Sequence, residues 1–473
     1  MNRSSALRAL QLLPASLEIY LTSACNMRCG YCSSSAIVNG PARRLTAGQV
    51  KRGIDIFAAL CSPRTAAAAG GDPKFRVVGL TGGEPLLEFG AVAAAVEHVR
   101  KNHKRLSVTV STNGLLLDRE KARFLLDRDV DLTVSLDGPR RATDSQRRFA
   151  AGGGSVSAAV LRRLARLPAS YLRRMRVMAT FTPDTAPDIA GSVRFLRRLG
   201  FAAVEADLDM YADWTARDLA RLRAGLARLR GLYMRGFRDG DWTSDWGDIF
   251  GGALQNKVRG AGPYEAFHEF SLSCDGWFYP ADVPALFGPG PGPGAFAVGG
   301  LEKGVDLRRL KGYFDGAAAF LGRRSGTGEA VPPACRYFNA LARGLDPAAA
   351  MAGFGRLCAA FDEELGGLLR LERVFRRLAR ARDFGDFSHR PRTLPRHRAA
   401  SLAVHPSAGL GAARRAADGA LYAPGRRKVL RFADPGPAGR GDALGLALYS
   451  ALKGAWLGGK PRVALESGGG RSS

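Results

Sequence analysis

The sequence predicts an α/β protein: an open (β/α)6 barrel, a partial TIM barrel, followed by an α+β C-terminal extension. Three observations lead there. From Ser16 to about Asp209, six short apolar runs alternate with amphipathic stretches, the pattern of parallel strands joined by crossover helices. Past Tyr211 the alternation stops, and helical periodicity followed by a hairpin signal replaces it. A chain of 473 residues with 46% apolar content can also bury one large barrel plus one or two smaller units.

The expected strands are Ser16–Thr22, Arg76–Thr81, Leu106–Thr112, Asp131–Asp137, Arg176–Phe181 and Ala203–Leu208. Helical periodicity marks Thr46–Leu60, Glu88–Lys101, Asp118–Asp127, Ser155–Leu167 and Ala186–Leu199 between them. Six such units close economically as an open barrel, with chemistry at the carboxyl ends of the strands. This first domain is taken as residues 1–210. The next, 211–382, opens with helical signal at Thr215–Phe237 and around Gly247–Val258. A hairpin then pairs Glu269–Ser273 with Gly276–Tyr279 through Asp275-Gly276 as the turn. Gly288 to Gly294 alternates Gly and Pro and reads as a loop, and a long helix is expected from Ala348 to Arg382. Residues 383–473 form a basic tail rich in Arg, Gly and Pro, either a disordered arm or a small recognition unit. Its strand signals are weak, near Ser401–Val404 and Lys428–Phe432, and one helical run spans Asp442–Leu457.

Composition narrows the partners. Lys and Arg number 70 against 43 Asp and Glu, a formal charge of +27 that favours acidic partners. Arg, Ala and Gly are abundant throughout, as genome-wide codon bias would give, and no basic stripe interleaves with aromatics. Nucleic acid is therefore not the expected partner. No run approaches the ~20 apolar residues that span a bilayer, so no membrane role is expected. Met1 to Leu13 is basic and then apolar, but it lacks a small-residue cleavage site and reads as the lead-in to the first strand. Seven cysteines, three of them packed together, suit a reducing cytoplasm better than a disulfide framework.

Those three, Cys25, Cys29 and Cys32, lie in Cys25-Asn26-Met27-Arg28-Cys29-Gly30-Tyr31-Cys32, just past the first strand. Thiolates at this spacing can bind three irons of a cubane and leave the fourth open to a ligand. A zinc knuckle would want a fourth Cys or His nearby, and His98 is the nearest histidine downstream. Further strand ends carry Thr81-Gly82-Gly83-Glu84-Pro85, Ser111-Thr112-Asn113-Gly114 and Ser135-Leu136-Asp137-Gly138. Glycines allow close backbone approach, Glu84 offers negative charge to an ammonium, and the short polar side chains suit ribose and carboxylate contacts.

The cysteine spacing, with an aromatic before the last cysteine, resembles the radical S-adenosylmethionine superfamily. The resemblance implies one [4Fe–4S] cluster and S-adenosylmethionine as cofactors. The methionine moiety chelates the open iron, and reductive cleavage releases a 5′-deoxyadenosyl radical that abstracts hydrogen from the substrate. Gly82, Gly83, Glu84 and Pro85 then correspond to the motif that binds the methionine amino group. Thr112, Asn113, Ser135 and Asp137 join them around the cosubstrate. The run from Asp137-Gly138-Pro139 through Thr143-Asp144-Ser145-Gln146-Arg147 to Gly154-Ser155 is similar to the peptide- and protein-modifying branch. Arg147 stands where that branch pairs an arginine with the cosubstrate carboxylate, and Thr143 replaces its usual histidine. Arg148 is the neighbouring alternative in register.

Members of that branch, the sulfatase-maturase-like or SPASM type, usually carry auxiliary clusters in a cysteine-rich extension. The segment from Arg259 to Asp282 looks like its start, but Ala281 replaces a cysteine and none stands near Arg259. Cys274, Cys335 and Cys358 are widely separated. They are read as buried hydrophobes, as is Cys61, with a three-cysteine auxiliary site as the alternative. Asp282 matches the aspartate proposed in that branch as the base that accepts a substrate proton, which makes it the catalytic candidate. The implied function is modification of a peptide or protein, with flavodoxin or ferredoxin as reductant. The alternatives are a radical enzyme acting on nucleic acid and a catalytically inert peptide-binding subunit.

Overall fold

The computed structural model describes residues 16–60, 76–209, 212–239, 269–280 and 296–306, positions between 308 and 348, and strands Val429–Ala433 and Arg462–Glu466. Six strands pair in sequence order, all parallel: β1 (Ser16–Tyr20), β2 (Arg76–Thr81), β3 (Leu106–Thr112), β4 (Asp131–Ser135), β5 (Arg176–Phe181) and β6 (Ala203–Leu208). The sheet does not close, and β6 is one of its two edges. Four strands match their expected bounds. β1 and β4 stop two residues early, because the chain leaves the ladder there to build loops. Helices Ala47–Leu60, Phe89–Asn102, Arg119–Asp127, Val156–Leu164 and Ile189–Arg198 occupy the expected crossovers. Asp118 and Ser155 cap two of them by accepting from Lys121 N at 2.8 Å and Ala158 N at 3.0 Å. Pro187 sits in a short 3-10 turn, Ala186–Asp188, that precedes the last.

Strand β5 alternates between two surroundings. Val177, Ala179 and Phe181 of β5 are fully buried under helices, while Arg176, Met178 and Thr180 are half-buried on the opposite face. That inner face is polar for a parallel sheet: Arg176 is ion-paired with Asp131 of β4 at 3.3 Å and with Glu205 of β6. A closed barrel would fill its interior with apolar side chains; this open one keeps charge there.

The extension does not stand apart from the barrel. β7 (Glu269–Leu272) pairs in parallel with β1, and β8 (Trp277–Pro280), β9 (Gly299–Gly300) and β10 (Gly304–Val305) continue antiparallel, giving one ten-stranded sheet. The β7–β8 hairpin turns at Asp275-Gly276 as expected, with Gly276 at φ 86°. Phe57, from the first crossover helix, meets Phe270 of β7 at 5.7 Å, and Phe270 stacks on Phe278 of β8 at 5.4 Å. All three are fully buried, so truncating one to alanine should cost about 3–5 kcal/mol.

Helix Ala216–Asp239 corresponds to the expected Thr215–Phe237. Val429–Ala433 pairs in parallel with an unexpected strand, Arg462–Glu466 (β11 and β12). Unexpected too are the short helices Ser35–Val38, Arg140–Gln146 and Ala169–Leu172. Among the described residues no helix is long and apolar enough to cross a membrane. The expected elements Gly247–Val258, Gly288–Gly294, Ala348–Arg382 past its first residue, Ser401–Val404 and Asp442–Leu457 lie outside the described residues, as do Cys61, Arg259, Ala281, Asp282, Cys335 and Cys358.

Candidate active site

The loop carrying Cys25, Cys29 and Cys32 leaves the carboxyl end of β1 and is stitched to the chain around Arg147. Arg28 N donates to Arg148 O at 2.8 Å, Gly30 N to Gln146 O at 2.8 Å and Ala150 N to Asn26 O at 3.0 Å. Met27, almost fully buried, anchors the loop from below. The thiols are half-buried. Cys29 acts electrostatically on Cys25, Cys32 on Cys29 and Cys25 on Cys32, so the three share one locality. Burial, reinforced by that mutual repulsion, raises the pKa of all three. A bound metal would deprotonate them. Three soft thiol donors, half-buried on one loop, fit a cubane that keeps one free iron.

Beneath the loop, Gly82-Gly83-Glu84-Pro85 follows β2. Gly83 N donates to Thr22 O at 2.8 Å and Glu84 N to Ala24 O at 2.9 Å. A Cβ on Gly83 would lie 2.1 Å from Ala24 O, and Gly82 has φ +134°. What approaches these glycines closely is therefore the stem of the cysteine loop itself. Pro85 opens a 3-10 turn that Glu84 caps by accepting from Leu86 N at 3.0 Å. Glu84 also accepts from Thr112 Oγ1 at 2.7 Å and Asn113 N at 2.8 Å, and it is fully buried. Burial outweighs those three donors and raises its pKa. The expected counter-charge for an ammonium is thus a carboxylate already holding three internal donors, a tie between the ends of β2 and β3.

Asn113 faces the cysteine loop: its Nδ2 donates to Asn26 Oδ1 at 2.7 Å and lies 4.0 Å from Cys25 Sγ. Thr112 is nearly fully buried, and Ser135 is half-buried at the end of β4. Asp137 and Arg147 are brought together as a buried pair. Arg147 Nη2 donates to Oδ1 at 2.9 Å and Nε to Oδ2 at 3.0 Å; Tyr31 OH donates to Oδ2 at 2.7 Å and Thr180 N to Oδ1 at 3.0 Å. Burial disfavours the Arg147 charge, but Tyr31, Asp137 and Cys29 together hold its pKa above the ordinary value. Both residues were expected to face a cosubstrate; here they form an ion pair, and Asp137 also accepts from Tyr31 and Thr180. Thr143, fully buried, donates to Gly138 O at 3.0 Å and accepts from Arg147 N at 2.9 Å, fixing the turn that delivers Arg147. Arg148 is exposed.

Sequence reasoning missed Tyr31 as a tether, because its partner lies 106 positions away. It also missed Ser23, whose hydroxyl donates to Pro41 O at 3.0 Å and folds the residues after the cysteines back onto the stem. Cys274 is buried beside Tyr20 and Ile37, its thiol pushed up to about 11 chiefly by burial and then by Asp275.

Residues 19–196 match the Radical SAM superfamily. A GTP 3',8-cyclase of Stenotrophomonas maltophilia (strain K279a) is 36% identical over 26% of this chain and 34% of its own length. A cysteine-type anaerobic sulfatase-maturating enzyme of Clostridium perfringens (strain 13 / Type A) is 27% identical over 38% of this chain and 47% of its own. The chain thus spans between a third and a half of the length of these curated relatives. Among solved structures, native anSMEcpe with bound AdoMet superposes with a TM-score of 0.49 at 19% identity, covering 63% of this chain and 80% of that one.

Proposed function

We propose, from the radical S-adenosylmethionine domain that residues 19–196 carry, that this chain is an enzyme that modifies a peptide or protein. When bound, a [4Fe–4S] cluster and S-adenosylmethionine supply reductive cleavage of the sulfonium and hydrogen-atom abstraction. Cys25, Cys29 and Cys32 would hold the cluster. Asn113 steadies the loop beside Cys25, and Tyr31, Asp137 and Arg147 lock its far end to β4 and β5. Gly82 and Gly83 hold the stem flat against β2, and Glu84 with Pro85 keeps the neighbouring strand end in place. Thr112, Asn113 and Ser135 would border the cosubstrate at the strand ends, with Arg147 supplying positive charge nearby. Asp282, two positions past β8, is the proposed acceptor of a substrate proton, and a flavodoxin or ferredoxin is the proposed reductant.

The observation that carries the peptide reading is the seating of β7 and β8 against β1, beside the cysteine loop, as a direct continuation of the barrel sheet. The likeness to a sulfatase-maturating enzyme supports it. The likeness to GTP 3',8-cyclases favours a second reading, in which the substrate is a nucleotide or a nucleic acid. Anaerobic turnover of the reconstituted full chain separates the two. Deuterated peptides from a proteome digest, deuterated GTP and deuterated RNA oligonucleotides are offered in turn, and deuterium in the 5′-deoxyadenosine product is measured. Transfer from the peptide pool alone is expected; transfer from GTP or RNA alone would overturn the peptide reading.

A further inference from the structure

On the outer helical layer, away from the cysteine loop, three metal-ligating side chains converge. Asp55 comes from helix Ala47–Leu60, His98 from helix Phe89–Asn102, and His103 is that helix's C-terminal cap. His98 Nε2 and His103 Nε2 each lie 2.7 Å from the same Asp55 Oδ1, and the rings meet edge to face at 5.3 Å. The chain has six histidines, and two of them share one carboxylate oxygen here. Both imidazoles are mostly buried, with side chains 14% and 20% exposed, while Asp55 is 43% exposed.

We propose that Asp55, His98 and His103 form a binding site for a divalent transition metal of the zinc class, separate from the cysteine cluster. Two imidazoles and one carboxylate are the ligand set of open sites with three protein ligands, which leave the remaining positions to water. All three donor atoms lie within 4.8 Å of one another. Metal–ligand bonds of about 2.0–2.2 Å place tetrahedral neighbours about 3.3 Å apart, so the 2.7 Å contacts need to open by about 0.6 Å. Half-exposed Asp55 can move that far without disturbing the core.

The surroundings supply the outer support that metal-bound imidazoles use. Asn102 Nδ2 lies 3.0 Å from His98 Nδ1. Turning that amide over would offer Oδ1 to an Nδ1–H and free Nε2 for the metal. His103 is held by its backbone, its N–H donating to Val99 O at 2.8 Å and its carbonyl accepting from Leu106 N at 2.8 Å. The ion would clamp the crossover helix Ala47–Leu60 to the next, Phe89–Asn102.

The test uses the full chain with its iron–sulfur cluster in place, titrated anaerobically with Co2+ and then Zn2+. One additional cobalt per chain is expected, with nitrogen- and oxygen-type ligand-field bands and no new sulfur charge transfer. Displacement by Zn2+ should accompany a rise in the thermal midpoint. His98→Ala and His103→Ala should each abolish that equivalent, and Asn102→Ala should weaken it about tenfold or more. Should His98→Ala fold poorly, His103→Gln, past the helix end, gives the same reading. Equal uptake by the wild type and the His103 variant, or no uptake by the wild type, would overturn the proposal.

Discussion

Arg147 grips Asp137 with both arms of its guanidinium, at 2.9 and 3.0 Å, where the two side chains are only 7% and 1% exposed. The pair ties the end of the short Arg140–Gln146 helix to the end of β4. Through Tyr31 OH it also reaches the cysteine loop. A fork of this kind is specific to arginine.

Removing one partner of so buried a pair leaves an uncompensated charge. Asp137→Ala should therefore destabilise the chain by about 3–5 kcal/mol, and Arg147→Ala by a similar amount. The double variant should lose clearly less than the sum, since neither charge is then stranded. Urea unfolding of the three variants gives the coupling. Strict additivity would show that the two residues do not support each other.

Glycine positions separate two kinds of constraint. Gly83→Ala would drive a Cβ to 2.1 Å from Ala24 O, a backbone atom that can yield only by moving the stem of the cysteine loop. That variant should take up much less iron on reconstitution. Gly90, inside helix Phe89–Asn102, has nothing within 4 Å of its would-be Cβ. Gly90→Ala should keep full iron and gain about 0.5–1 kcal/mol. Equal iron in both would show that the stem tolerates displacement.

The contrast between these positions shows what the sequence could and could not tell. Strands β2, β3, β5 and β6 were legible as short apolar runs between amphipathic stretches, and in β5 the buried face falls on alternate positions, Val177, Ala179 and Phe181. The hairpin was legible because Asp275-Gly276 offers a turn at the right place. Helix Arg140–Gln146 was not, because it buries only Thr143 and so carries no periodic apolar signal. Cys25, Cys29 and Cys32 announced themselves by spacing. The fates of Glu84 and Asp137 did not, since which donors surround a carboxylate depends on strands 28 and 43 positions away. The convergence of Asp55, His98 and His103 was hidden for the same reason: helical periodicity gives the face of each helix, not its neighbour across the groove.

Iron content bears on the extension. A variant lacking Cys25, Cys29 and Cys32 should retain almost no iron after anaerobic reconstitution. Cys274 is buried beside Tyr20 and Ile37, the setting of a packing residue. About four irons per chain with cubane spectroscopy would instead reveal an auxiliary cluster.

The central claim is that the three thiols after β1 hold a cluster that cleaves S-adenosylmethionine. Its most direct test is 5′-deoxyadenosine formation by the anaerobically reconstituted full chain, given S-adenosylmethionine and dithionite. The wild type should form it, and Cys25→Ala, Cys29→Ala and Cys32→Ala should each fall to background, because each thiolate holds one iron. Wild-type turnover that survives in any of the three variants, or a wild type that binds about four irons and forms no 5′-deoxyadenosine, would contradict the account.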